Sequence, residues 1–459
     1  MTIHKDAISI VGDTPLIDLS SMCEGPSARL LGKAEYLNPS GSVKDRLAAY
    51  TIEQAELNGL IKPGAIIVEA TAGNTGLSLA MVAAIKGYRC ILVVPDKFSS
   101  EKINMLKAYG AEVVITPTHV GPDHPENWLV VARRIVEETP NAFYANQFYN
   151  DDNWKAHYLT TGPEIWEQTK GEVDLFVLGA GSGGTLTGAG RYLKEQAAKA
   201  GKDLKIVCPD PIGSAFYDTF YKNEDALKQG YKVEGMGNDF IPGTLDLEIV
   251  DEMMRVGDRE AFLTARRVTR ELGLFVGGTS GVNVAAAIKI AKVVGPGKTV
   301  VTILCDSGDR YISKMYNDEW MKDFGYLGLN ERLGTVHELL QFTGCNVEFA
   351  NGEETVESVA SRMSALGISQ MPVKGDDSRP PMMIHEVDLL QSLLSEYCSP
   401  GDAVHRVAAP LQGQVGLTDP VSELEHIFDE NNVAVVMDNQ EVVGIVSKID
   451  VVKFLASRS

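Results

Sequence analysis

Between about residues 60 and 310 the chain repeats one beat: a short Val- and Ile-rich run, a loop of small residues, then a longer apolar or amphipathic segment closed by glycine. Ile66–Val68 leads through a loop into LSLAMVAAIK, stopped by Gly87; RCILVVP (Arg89–Pro95) leads into EKINMLKAY, stopped by Gly110, and then EVVITP. DLFVLG (Asp174–Gly179), KIVCPD (Lys205–Asp210) and TVVTILCD (Thr299–Asp306) resume the pattern. β-Branched runs spaced by glycine-capped helices predict an α/β domain with a mainly parallel sheet. Ligands of such sheets sit at the carboxyl ends of strands, so the strand-to-helix loops are where chemistry is expected.

After Phe324 the pattern stops. GYLGLNERLG is polar and glycine-rich and reads as a linker, 326–334, between a first domain, 1–325, and a second, 335–459. The second contains a weak repeat of about 60 residues. VESVASRM (Val356–Met363) resembles VSELEHIF (Val421–Phe428), and EVDLLQSLL (Glu386–Leu394) resembles KIDVVKFLA (Lys448–Ala456). Two such units bury their faces against each other, which predicts a compact pseudo-symmetric α+β module. Composition narrows the partners. Acidic residues number 62 against 42 basic ones, a net charge of −20 that repels nucleic acid and anionic membrane surfaces. No apolar run reaches the roughly 18 residues of a membrane span, and MTIHKDAISIVGDTP lacks the apolar core of a signal peptide. Six cysteines without a CxxC pair argue against a disulfide framework and against a zinc ribbon, so no metal is expected. A cytoplasmic enzyme is the reading these observations leave.

Four stretches of the first domain carry the densest chemistry. In NPSGSVKDR (Asn38–Arg46), Ser42 is placed to cap a helix, which puts Lys44 in its first turn. The positive end of the helix disfavours an ammonium there, so Lys44 is either solvated, the commoner outcome for a lysine, or held as a nucleophilic amine. EATAGNTG (Glu69–Gly76) offers the N–H groups and hydroxyls of Thr71, Ala72, Gly73, Asn74 and Thr75 at a helix start, suited to a carboxylate or phosphate; the plain alternative is a capped turn. GAGSGGTLTG (Gly179–Gly188) is the best phosphate cradle: Gly181, Ser182, Gly183, Gly184 and Thr185 give consecutive N–H donors and two hydroxyls at a helix N-terminus. VGGTSG (Val276–Gly281) supplies Thr279 and Ser280, as pocket hydroxyls or as caps.

Each stretch alone is more often structural. Together they are what a pyridoxal-phosphate enzyme needs: an amine for covalent attachment, a phosphate anchor, a substrate-carboxylate seat and a partner for the ring nitrogen. A dinucleotide site is the rival, because Gly179, Gly181 and Gly184 match GxGxxG and Asp210 closes the next strand, which would make the chain an NAD-binding dehydrogenase. That reading leaves Lys44 and Asn74 without a role. A nucleotide sensor in which only the C-terminal repeats act is a third reading.

NPSGSVKDR, EATAGNTG, GAGSGGT, MGNDFIP and LCDSGDRY follow in the order seen in cystathionine β-synthases, and the chain resembles a bacterial member of that family. The resemblance implies a two-lobed, tryptophan-synthase-β-like fold with mainly parallel sheets, followed by a pair of CBS (Bateman) repeats. It implies pyridoxal 5′-phosphate as cofactor, attached to Lys44, with Asn74 on its 3′-oxygen. Gly181, Ser182, Gly183, Gly184 and Thr185 match the phosphate loop, and Thr279, or failing it Ser280, matches the hydroxyl at the pyridine nitrogen. Thr71, Ala72, Gly73, Thr75 and Gln147 match the substrate-binding loop and the α-carboxylate site. A hydroxyl at that nitrogen makes the cofactor a milder electron sink than a carboxylate would, which favours β-elimination over transamination. The implied reaction is replacement of the L-serine hydroxyl by the thiol of L-homocysteine to give L-cystathionine, with Lys44 moving the Cα proton. Homodimers or homotetramers are implied as well.

In the C-terminal repeats GIVSKIDVV places Ser447 and Asp450 where an adenosyl ribose is held, whereas the first repeat keeps Asp388 but has His385 in place of the hydroxyl. Other departures concern the haem extension of the animal enzymes, since GDTP begins at Gly12 and only His4 and Cys23 are available as ligands. No haem is therefore expected. Phe148 and Asn238 stand where the family has tyrosines near the second-substrate site, so O-acetylserine in place of serine and sulfide in place of homocysteine, as in cysteine synthases, stay open.

Overall fold

The structure is a computed structural model, which describes residues 3–457 except 72, 97–99, 122–123, 223–229, 328–332, 345–346, 376–379, 396, 425–426, 429–432 and 439–440. The chain divides into two compact units, Met1–Tyr326 and Leu327–Ser459. Most of the expected linker, 328–332, lies outside the described residues.

In the first unit the chain lays down β1 (Leu16–Asp18) and β2 (Arg29–Lys33), then β3 (Ile66–Ala70), β4 (Arg89–Pro95), β5 (Glu112–Thr116) and β6 (Ala142–Tyr144), then β7 (Leu175–Val177), β8 (Lys205–Pro211), β9 (Glu252–Val256) and β10 (Thr299–Ile303). The middle four form a parallel sheet in the order β5-β4-β3-β6. The others form a second sheet, β1-β2-β10-β7-β8-β9, in which only β1 is antiparallel. The Val/Ile runs of the sequence are the central strands, and they are covered on both faces, as parallel strands require: every residue of β3 is buried, and all of β4 beyond Arg89. The helix that follows β3, Asn74–Lys86, stops at Gly87, whose φ of +75° is a left-handed cap that glycine takes without penalty.

The helix Lys44–Leu57 lies on the crossover from β2 to β3. Its Ala48, Ile52 and Ala55 pack into a core with Leu77, Ala80 and Met81 of the next helix. On its other side Arg46 donates to Glu35 at 2.7 Å and to Glu164 at 2.6 Å, and Lys33 donates to Glu164 at 2.6 Å. Lys33, Glu35 and Arg46 are buried, so the lysine-bearing helix is anchored by a desolvated ion network in addition to apolar packing. Ser42 sits one residue too early to cap: Val43 takes the cap position, and the Ser42 hydroxyl accepts from the Lys44 N–H at 3.3 Å.

The second unit contains two three-stranded sheets. Gln370–Val373, Met382–His385 and Ala409–Pro410 pair antiparallel; Gln414–Gly416 runs parallel to Val433–Asp438, which pairs antiparallel with Glu441–Ser447. The repeat-bearing segments are helices at Val356–Leu366, Glu386–Leu394 and Lys448–Ala456, whereas VSELEHIF opens in a short turn, Val421–Glu423, with 425–426 outside the described residues. Among the described residues no helix is long and apolar enough to cross a membrane, and no group of three or more His, Cys, Asp or Glu is placed to hold a metal ion.

Candidate active site

A cavity of about 1180 Å³ opens in the first unit, lined by segments that end or directly follow β3, β4, β5, β6, β7, β8 and β10. This is the carboxyl edge of both sheets, where an α/β fold binds its ligands. Lys44, Thr71, Gly73, Asn74, Thr75, Gln147, Gly181, Ser182, Gly183, Thr185 and Thr279 all line it.

Lys44 is the first residue of its helix. Burial lowers the pKa of its amine, against the upward pull of Cys305 and Asp306. Burial likewise pushes the Cys305 thiol up to about 12, so this neighbour is a neutral thiol at physiological pH.

The loop after β7 turns at Gly183, whose φ is +91° and whose Cβ, were there one, would meet the Leu245 backbone. A Cβ at Gly181 would meet the Gly235 carbonyl. The loop therefore lies flat on the 235–245 segment. Among the described residues, none of the backbone N–H groups of Gly181, Ser182, Gly183, Gly184 or Thr185 donates a hydrogen bond. Buried N–H groups are almost always paired, so five consecutive unpaired donors beside a cavity constitute an anion site. The hydroxyls are held from behind. Ser182 Oγ accepts from Asn153 at 2.9 Å, and Thr185 Oγ1 lies 3.1 Å from Nε2 of His157. Burial, with Lys44 and Arg46 nearby, keeps the pKa of His157 well below that of an ordinary histidine, so it is a neutral partner for Thr185. Neither support is visible in a local sequence pattern.

The loop after β3 repeats the arrangement on a smaller scale. Asn74, Thr75 and Gly76 open a helix, and their N–H groups have no partner among the described residues, while Gly73 N–H donates to Thr71 Oγ1 at 3.2 Å. Thr75 Oγ1 donates to Gln147 Oε1 at 2.6 Å, which ties this loop to the one after β6. Beneath both, Glu69 accepts from the Ala70 N–H at 3.1 Å and the Gln147 N–H at 3.2 Å. Burial lifts the Glu69 pKa to about 8, against the opposing pull of those N–H groups. Ala72 lies outside the described residues.

Asp306 ties the remaining groups together. It accepts from Asn74 Nδ2 at 2.8 Å, Thr279 Oγ1 at 3.3 Å and the Tyr311 hydroxyl at 2.7 Å, and Arg310 donates to Asn74 Oδ1. Thr279, the first choice for the ring-nitrogen hydroxyl, thus lines the cavity with its proton directed at a carboxylate. Ser280, the second choice, is spent on the Cys305 N–H at 2.9 Å.

Three further positions are set by their surroundings. Gly184 contributes an N–H to the loop but does not line the cavity, and a Cβ there would collide with the Asn153 carboxamide. Asp210, the acid a dinucleotide reading needs, is fully buried, accepts from the Tyr217 N–H at 3.0 Å and does not line the cavity. Ser447 and Asp450 form a capping box, with Ser447 Oγ donating to Asp450 at 2.5 Å, so both groups are engaged at a helix start.

The half-buried Lys44, the five-donor cradle and the loop after β3 all fit a cofactor with an aldehyde and a phosphate. Residues 8–306 match the family model described as pyridoxal-phosphate dependent enzyme. The chain belongs to that family. Residues 414–457 match the model of the CBS domain. Among curated relatives, the cystathionine β-synthase of Oryctolagus cuniculus is 37% identical over 99% of this chain and 86% of its own length, and that of Saccharomyces cerevisiae 32% identical over 99% and 98%. Cysteine synthase 1 of Neurospora crassa is 41% identical over 71% of this chain and 87% of its own. A solved O-ureido-L-serine synthase superposes with a TM-score of 0.63 at 33% identity, covering 70% of this chain and 100% of that one. The family match accounts for the 179–184 loop without a dinucleotide.

Proposed function

We propose that this family member catalyses β-replacement, L-serine plus L-homocysteine giving L-cystathionine plus water, with residues 1–325 as the catalytic domain. The observation that carries the reading is that one cavity is lined by Lys44, by Asn74 and Thr75 at a helix start, and by the 181–183 and 185 part of a loop whose N–H groups have no partner among the described residues. Pyridoxal phosphate, when bound, supplies the electron sink that accepts charge from Cα as its proton leaves and that promotes loss of the Cβ substituent. The chain's residues do the rest. The 181–185 amides would hold the phosphoryl group, and burial shifts Lys44 toward the unprotonated amine that attachment needs. That amine would also take the Cα proton and later return it. The 74–76 amides, Thr71 and Gln147 take the substrate α-carboxylate. Thr279, whose proton is directed at Asp306, would have an oxygen lone pair left for the ring nitrogen.

The full-length relatives named cystathionine β-synthase favour serine and homocysteine, whereas the relatives named cysteine synthase favour a sulfide acceptor. Product analysis by mass spectrometry decides, with serine or O-acetylserine offered against homocysteine or sulfide. Cystathionine from serine and homocysteine as the preferred product is expected; cysteine as the sole product would replace the reading with the second.

A further inference from the structure

The cavity carries a charge opposite to that of the chain. Besides Lys44, its described lining includes Lys102, Lys232 and Lys314 against only Glu234 and Asp239, in a protein of net charge −20. Two of these lysines, far apart in sequence, converge on one carboxylate: Lys102, from the helix Ser100–Ala108, and Lys314, from the segment after β10, both pair with Glu234, the latter at 2.5 Å. The cluster stands one ring from the reaction centre. The Lys102 ammonium lies 5.1 Å from the centre of the Tyr311 ring, and the Tyr311 hydroxyl donates to Asp306. The cavity wall also holds Phe148 and Phe240, their ring centres 5.4 Å apart. At about 1180 Å³ the space exceeds the roughly 300–1,000 Å³ typical of a single small-molecule site, so it has room for a second organic substrate.

We infer that Lys102 and Lys314 seat the α-carboxylate of the thiol substrate, with Glu234 between them facing its ammonium group and the Phe148–Phe240 wall covering its methylene carbons. The site is thereby specific for an amino-acid thiol and gives inorganic sulfide nothing to hold. This rests on the β-replacement reading and names the acceptor class for it. Two ammonium groups converging on a carboxylate give charge-assisted hydrogen bonds, and a site built for such a group discriminates against an analogue that lacks it.

The test compares steady-state rates of the holoenzyme with homocysteine and with its decarboxylated analogue, 3-aminopropanethiol, in the wild type, Lys102→Met, Lys314→Met and the charge-keeping Lys314→Arg. The wild type is expected to prefer homocysteine in kcat/KM by at least about tenfold. Each methionine variant is expected to raise KM for homocysteine by about tenfold with little change in kcat, to shift KM for the decarboxylated thiol less than about twofold, and Lys314→Arg to recover most of the loss. Equal losses with both thiols, or a rise in KM for serine instead, would overturn the seat while leaving β-replacement intact. A wild-type holoenzyme that joins no thiol to serine or O-acetylserine would overturn the reaction, and the seat with it.

Discussion

Burial acts on Lys44 and Glu69 in the same chemical direction, favouring the neutral form of each. For Lys44 that is the form a nucleophile needs; for Glu69 it is a pH liability. The folded-state pKa of Glu69, about 8, is above its ordinary 4.5, so between these values the folded chain keeps a proton that the unfolded chain has lost. Stability from this group is therefore full below about pH 4.5 and falls as pH rises through about 8, by an amount on the order of 4 kcal/mol. Urea melts of Glu69→Gln at pH 5.5 and 8.5 are expected to show a flatter pH dependence than the wild type; an identical slope would mean that Glu69 is ionised in the fold. The hydroxyl and amide positions of the site were legible one residue at a time, because Thr71, Asn74 and Thr185 lie in short glycine-marked loops. Asp306 and His157 were harder to read as site residues. Their partners come from sequence positions as distant as 232 residues, and neither lies in a pattern that forecasts where it points.

The helix Lys44–Leu57 owes its placement to packing on one side and to ions on the other. Glu164 belongs to a different helix, Thr161–Gln168, and bridges Arg46 and Lys33. Burial alone would raise its pKa, but the two cations outweigh burial and hold it down to about 2. Its contribution is present above pH 4.5 and is lost as pH falls toward 2. Glu164→Gln leaves two buried cations short of an anion, which is expected to cost on the order of 3 kcal/mol and to loosen the Lys44 helix, read as a lower Tm and weaker cofactor retention. An unchanged Tm would show that apolar packing alone fixes the helix. The central strands were readable because a parallel sheet demands continuous β-branched runs. β1, β6 and β9 were not, since LID, AFY and EMMRV carry no such run and are strands only because a neighbour pairs with them.

Every described residue that lines the cavity belongs to the first unit, and each unit has its own buried apolar clusters. A chain ending at Tyr326 is accordingly expected to fold, to bind pyridoxal phosphate and to retain β-replacement; loss of cofactor binding in that truncated chain would show that the C-terminal unit completes the site. The alternation of strands and helices and the change of pattern after Phe324 were visible in the sequence, whereas the way loops after seven strands converge on one cavity follows from strand order, which no local pattern encodes. All of this presupposes that the amine at the start of the Lys44 helix is the one that carries the cofactor. The direct measurement is borohydride reduction of the holoenzyme followed by peptide mass mapping: the account predicts a pyridoxyl-phosphate adduct on the Lys44 peptide and none in Lys44→Ala, and an adduct on a different lysine, or on none, would contradict it.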